Sequence, residues 1–100
     1  MFFIYFLYSD KSGIYYVGHT QDVLKRFEQH NHADNNSFTK KHRPWRLVAV
    51  FECGKKRSEA ILIERFIKKQ KSKKLLEKII AGTELNGLLA QLVRVPEFRD

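Results

Sequence analysis

Cysteine, proline and glycine are scarce in this chain, at one, two and five of 100 residues. Cys53 alone cannot form an internal disulfide, so nothing ties the fold to an oxidising compartment, and no cysteine-based zinc site can be built. There is no repeat and no low-complexity tract. Long apolar runs are missing too. The opening stretch, residues 1–8, is apolar but too short to span a bilayer as a helix. It lacks the basic flank and the small-residue cleavage site of a signal peptide. The expectation is cytoplasmic residence with no membrane association. Acids are the last shortage: 11 Asp and Glu against 19 Lys and Arg leave a formal charge of +8. That balance favours a polyanionic partner, because a bound phosphate backbone releases counterions. It also describes basic proteins that bind nothing specific.

What is present suffices for one core. The chain is 43% hydrophobic, and 100 residues leave little room for a second domain. Residues 2–8 form an unbroken aromatic and aliphatic run that suits a strand covered on both faces. The cluster Ser9-Asp10-Lys11-Ser12-Gly13 is a turn, and Ile14-Tyr15-Tyr16-Val17 reads as the second strand of an antiparallel hairpin ending at Gly18. Thr20 can cap a helix running to about residue 30, with Val23, Leu24 and Phe27 as its buried stripe. Residues 31–46, centred on Asp34-Asn35-Asn36-Ser37, read as a long polar and basic surface loop with room for a short helical turn. Loops of that length in small domains are often functional. Leu47-Val48-Ala49-Val50-Phe51 is a third strand. Ser58 can cap a second long helix whose Ala60, Ile63 and Ile67 face inward. Lys71-Ser72-Lys73-Lys74 marks a joint before a shorter helix over 75–81 that stops at Gly82. A further helix from Thr83 would carry Leu85, Leu88, Leu89 and Leu92, followed by a loosely held tail in which Phe98 can dock. The order β-β-α-β-α-α predicts an α+β fold, with a three-stranded, mainly antiparallel sheet flanked by helices.

Some residues are poorly explained by folding alone, although each has a bland explanation. Tyr5, Tyr8, Tyr15 and Tyr16 crowd the hairpin, where cross-strand packing accounts for most tyrosines. Tyr15 and Tyr16 must point to opposite faces. Arg26 and His30 lie one turn apart on the first helix and share a face, as two ordinary solvated side chains would. Glu64 borders the apolar stripe of the second long helix, where Lys68 can pair with it as a surface ion pair of about 0.3–0.5 kcal/mol. Lys40, Lys41, Arg43 and Arg46 surround Trp45 in the loop. Basic residues interleaved with rings such as Trp45 and Phe38 suit nucleic acid, because rings stack on bases.

Taken together, and in this order, these residues resemble the GIY-YIG nuclease superfamily. The chain is most similar to its small stand-alone bacterial members and to the N-terminal nuclease domain found in excinuclease ABC. The first signature tripeptide stands as Phe3-Ile4-Tyr5 and the second as Tyr16-Val17-Gly18. The family's arginine falls at Arg26, its histidine or tyrosine at His30, and its glutamate at Glu64. The resemblance covers about residues 2–80. It implies a nuclease domain over 1–82, with 83–100 as a helical extension and tail of the same domain. Phe3 replaces the first signature glycine at a position that looks structural. His19 stands where excinuclease-like members often have lysine.

The resemblance further implies that Glu64 is the protein's one direct ligand to Mg2+ or Mn2+. Such a site is chemically sufficient, because Mg2+ keeps several waters. Arg26 would hold a phosphate oxygen and offset transition-state charge. Tyr5, Tyr16 and His30 would orient or deprotonate the attacking water. Free histidine, with a pKa of about 6.5, is the easier base beside tyrosine at about 10. Gly18 is needed where the backbone leaves the strand close to the site. His19, Lys40, Lys41, Arg43 and Trp45 are the candidate DNA contacts. The expected activity is metal-dependent hydrolysis of phosphodiester bonds in DNA, in repair or recombination. Structure would select the substrate rather than sequence, with targeting by the basic loop or by a protein partner. The alternatives are a nucleic-acid-binding module with a vestigial or very slow site, and a basic accessory protein docking on ribosomal RNA or a repair complex.

Overall fold

The apolar run at the start of the chain forms the central strand of a sheet in the computed structural model, which describes residues 1–33, 37–82 and 85–96. This strand, β1 (Phe2–Ser9), pairs antiparallel with β2 (Ile14–Thr20) on one side and β3 (Trp45–Gly54) on the other. Its position explains its composition: Ile4, Tyr5, Phe6 and Leu7 are all at most 1% exposed, because both faces of β1 are covered. A two-residue strand, β4 (Val93–Arg94), pairs with Phe51 and Glu52 and gives the order β2-β1-β3-β4. The sheet therefore has four strands rather than three. Two residues are too few to show a period of two, and β4 exists only because β3 offers its outer edge.

Two helical layers cover the sheet. The face bearing Ile4, Phe6, Val17, Ala49 and Phe51 packs against α3 (Arg57–Gln70) and α4 (Lys73–Ala81) through Ala60, Ile63, Ile67 and Ile79. Burying a side chain such as Ile63 stabilises the fold by about 1.5–3 kcal/mol. The opposite face bears Tyr5, Leu7, Trp45, Leu47 and Val50 and is met by Val23 and Phe27 of α1 (Val23–His32). Leu24, read as part of that stripe, is 61% exposed, so the buried stripe of α1 is narrower than the sequence suggests.

Helix boundaries follow local capping chemistry. Asp22 rather than Thr20 caps α1, its carboxylate accepting from Lys25 N at 3.1 Å. Thr20 Oγ1 instead accepts from Asp22 N inside the preceding turn. Helix α3 begins at Arg57, before Ser58, and its cap Lys56 makes no side-chain bond. Helix α4 begins two residues before Leu75 because Ser72 caps it through Leu75 N. It ends at Gly82 with φ +81°, the left-handed terminator expected there. Beyond it, Gly87–Gln91 forms a 3₁₀ helix rather than an α-helix, and Leu89 and Leu92 join the core. The expected features at Asp34, Asn35, Asn36, Thr83 and Phe98 lie outside the described residues.

The long basic segment contains the expected short helix, α2 (Ser37–Lys41). Asn31 closes the segment like a strand partner. Its Oδ1 accepts from Trp45 N at 2.7 Å and its Nδ2 donates to Trp45 O at 3.1 Å, which anchors the start of β3 to the end of α1.

Candidate active site

The hairpin register assembles the first part of the site. Tyr5 stands opposite Gly18, and Leu7 opposite Tyr16, so Tyr5 and Tyr16 project from the same face of adjacent strands. Helix α1 covers that face, which carries Arg26 and His30, one helical turn apart, to the two phenols. Tyr5 is 1% exposed, and its hydroxyl lies 2.7 Å from His30 Nε2. The Tyr16 ring stands edge-on to His30 with centroids 4.7 Å apart.

Gly18 is the seat of Tyr5. A Cβ at position 18 would lie 2.6 Å from Tyr5 Cζ and 2.9 Å from Cε1, and closer still to the hydroxyl oxygen. No real side chain fits there. The glycine is required by the ring crossing over it, not by an unusual backbone angle of its own.

Electrostatics separate the roles of these groups. Burial, with Arg26 and Arg43 adding positive charge, lowers the His30 pKa to about 4. Burial also pushes the Tyr5 phenol up, although hydrogen bonding to Arg26 opposes it. The same hydrogen bonding holds the Arg26 guanidinium charged, with Tyr16 contributing as well. One arrangement satisfies all three groups: Arg26 donates to the Tyr5 oxygen, and the Tyr5 O–H donates to neutral His30 Nε2. This proton placement is assigned from the donors and acceptors present. A neutral histidine with so low a pKa is a weak base at pH 7, so the ease of deprotonation that free histidine suggests does not hold at His30.

Glu64 belongs to the opposite layer. It projects from α3 at the margin of the sheet beside β2, an edge strand. The register places His19 opposite Ile4, on the α3 face, and His19 Nδ1 lies 2.5 Å from Glu64 Oε1. Lys68 Nζ holds the other oxygen, Oε2, at 2.7 Å, as the helical spacing predicts. The same ammonium stands 5.3 Å from the centre of the Tyr16 ring. Lys68 thus joins the carboxylate of one layer to the phenol of the other around the β2 edge. His19, read as a DNA contact, is first of all the partner of Glu64. The sequence held a signal for this, because alternation puts His19 and Tyr16 on opposite faces of β2.

The two partners of this carboxylate line two different cavities. One is polar, about 490 Å3, lined by His19, Asp22, Lys25, Arg26, Gln29 and Arg57 among others. The other is mainly apolar, about 440 Å3, and includes Tyr15, Tyr16, Phe38, Lys68, Lys71 and Lys73. His19 lines the first and Lys68 the second, so each cavity holds one partner of Glu64.

The basic segment divides in two. Lys40 and Lys41 are exposed on α2. Trp45 is 3% exposed and its indole N–H donates to Thr39 O at 2.8 Å, so its ring is core rather than a stacking surface. Arg43 is spent on the end of α1: its Nε donates to His30 O at 2.6 Å, and Nη2 donates to Ala33 O. Trp45 and Arg43, expected as DNA contacts, thus have partners within the fold. The sequence shows ring and charge but not which way they turn. Among the described residues no three His, Cys, Asp or Glu side chains gather into a metal cluster, and no helix is long and apolar enough to cross a membrane.

Comparison with known proteins agrees with this geometry. The GIY-YIG catalytic domain model matches residues 1–78, which hold all five candidate catalytic residues. The chain is 37% identical over 73 residues to UPF0213 protein FN1575 of Fusobacterium nucleatum, covering 73% of this chain and 71% of that protein. It is 36% identical over 71 residues to UPF0213 protein HQ_3675A of Haloquadratum walsbyi, covering 71% and 79% respectively. With four of its signature side chains gathered on one sheet face and the fifth at the adjoining edge, the chain belongs to the GIY-YIG family of nuclease domains.

Proposed function

We propose that this protein is a divalent-metal-dependent endonuclease that hydrolyses phosphodiester bonds in DNA. The observation that carries the reading is the meeting, around the β2 edge, of a charged guanidinium, two phenols and a carboxylate from different layers. A fold needs no such meeting for its stability. Phosphodiester hydrolysis needs each part: a cation for the phosphate, a group to orient water, and a carboxylate to hold a metal.

The donor set suits Mg2+ or Mn2+. Glu64 is a lone carboxylate in a polar margin, and its oxygens already gather a ring nitrogen and an ammonium. A hard, hydrated cation that takes its remaining ligands from water and phosphate is compatible with one protein carboxylate. A closed zinc site is not, since it needs four protein donors. When bound, the metal would polarise the scissile phosphate and stabilise the leaving oxygen.

The protein's own groups do the rest. Arg26, beside a cavity lined by Lys25 and Arg57, binds a phosphate oxygen and offsets its growing charge. Tyr16 is partly exposed, unlike the buried Tyr5, which supports it as the phenol that orients the attacking water. Tyr5 and His30 are buried and hydrogen-bonded to each other, and they position Arg26 and Tyr16. Lys40 and Lys41, with the polar cavity, supply backbone contacts that favour DNA shape over sequence. Such selectivity suits damaged or branched DNA, as in repair.

The test is nicking of supercoiled plasmid in Mg2+ or Mn2+ at low salt, comparing the wild type with Glu64→Gln and Arg26→Ala. Both variants should lose at least about 100-fold in rate. Wild-type protein that binds DNA but never cuts it, with binding intact in Glu64→Gln, would leave a binding module in place of an enzyme.

A further inference from the structure

Apart from Tyr16, the lining of the mainly apolar cavity has no part in the chemistry above, and its composition is unusual for a surface this basic. It runs along the free edge of β2, from Phe38 of α2 past Tyr15 and Tyr16 to Leu76 of α4. Phe38 is 48% exposed, although its ring makes tilted contacts with Tyr16, His42 and Trp45. Three lysines, Lys68, Lys71 and Lys73, stand on the α3–α4 side of the same cavity. Lys71 takes a left-handed conformation at the end of α3 (φ 48°), and Lys73 Nζ donates to Gly13 O across the opening. Aromatic rings and ammonium groups lining one cavity match a nucleotide: the base has an apolar face, and its phosphate is anionic. The volume, about 440 Å3, lies within the range of small-ligand sites. A duplex keeps its bases stacked inside and would present only backbone here.

We infer that this cavity is a subsite for one unpaired nucleobase of the substrate strand. The base stacks on Phe38 and Tyr15, and the adjoining phosphate is held by Lys71 and Lys73. The inference rests on the nuclease reading, because Lys68 links this cavity to Glu64 and His19 links Glu64 to the polar one. A strand lying along the β2 edge then passes from phosphate contacts at Arg26 and Arg57, across the carboxylate, to a pocket for a base. The substrate is thereby a strand with at least one unpaired nucleotide beside the cut, such as a flap, gap or frayed end.

Binding is measured without chemistry, in the Glu64→Gln background, with a single-stranded overhang carrying 2-aminopurine at successive positions. At one position, fluorescence should be quenched on binding. Replacing that nucleotide by an abasic residue should weaken affinity about tenfold. Phe38→Ala should remove the quenching and the preference for a base, and Phe38→Tyr should restore both. Lys71→Glu, at an exposed site, should weaken binding to the same overhang if Phe38→Ala perturbs folding. Equal affinity for abasic and intact overhangs, or for blunt duplex and overhang, would overturn the inference. So would a base preference unchanged in both variants, or quenching by an unrelated acidic peptide. Nicking of plasmid with no base preference would refute the subsite alone. Base-dependent binding without any cutting by the wild type would refute the nuclease alone.

Discussion

The hydroxyl of Tyr5 and Nε2 of His30 lie 2.7 Å apart in the interior, 25 residues distant in sequence, and each is the other's buried polar partner. Tyr5→Phe removes one side of that bond and leaves the imidazole nitrogen unsatisfied. Its expected cost is about 1–3 kcal/mol, read as a lower urea midpoint at pH 7.5. A midpoint equal to wild type would mean that His30 finds another partner.

His30 also sets a pH dependence of stability. Its folded pKa, about 4, is below the ordinary value of 6.5, so the unfolded chain takes up a proton first as pH falls. The stability contributed by neutral His30 is full above about pH 6.5 and is lost as pH falls toward 4, by an amount on the order of 3 kcal/mol. Urea unfolding between pH 7.5 and 4.5 should show this decline, and His30→Gln should flatten it. A slope equally steep in His30→Gln would assign it to other groups.

Gly18→Ala tests the seat of Tyr5. The added methyl would collide with the ring, and overpacking of this kind costs about 1–3 kcal/mol. The variant should keep its far-ultraviolet circular dichroism and lose plasmid nicking, because displacing Tyr5 disturbs the alignment of Arg26 and Tyr16. Unchanged nicking would show that the site tolerates a displaced Tyr5.

Lys68 holds Glu64 Oε2, and the same ammonium stands over the Tyr16 ring. On the nuclease reading its ammonium stands where positive charge is wanted, and a divalent ion has to displace it. Lys68→Met should lower the Mn2+ concentration at half-saturation several-fold, measured by titration calorimetry. A weaker Mn2+ affinity would instead make Lys68 a residue that orients the carboxylate.

The basic segment should separate by role. Arg43→Ala should lower stability by about 1–3 kcal/mol, because it frees carbonyls at the end of α1. Lys41→Ala should leave the urea midpoint unchanged. It should weaken DNA binding and reduce its salt slope by about one. A reduced salt slope in Arg43→Ala with unchanged stability would reverse the assignment.

Much of the site was legible because its residues obey simple periodicities. Alternation in β2 separates Tyr16 from His19, and one helical turn links Arg26 to His30 and Glu64 to Lys68. The orientations that the sequence left open share one cause. Trp45, Arg43 and Leu24 have the composition of their expected roles, but direction in an irregular segment or at the margin of a helix face depends on what packs nearby. Trp45 turns inward to Thr39, Arg43 turns back to α1, and Leu24 finds no neighbour to cover it.

Residue order alone was enough for the α+β class, three of the four strands, the long helices and the candidate residues, because period, turn chemistry and signature order are local properties. Packing in three dimensions was needed for the rest: that β4 forms, that His30 is a buried neutral partner of Tyr5, that Gly18 exists to admit a ring, and that His19 and Lys68 bracket Glu64. Those are contacts between residues 13 to 45 positions apart or between opposite layers, Lys68–Glu64 excepted. Their geometry depends on how the sheet and helices pack, which no local pattern encodes.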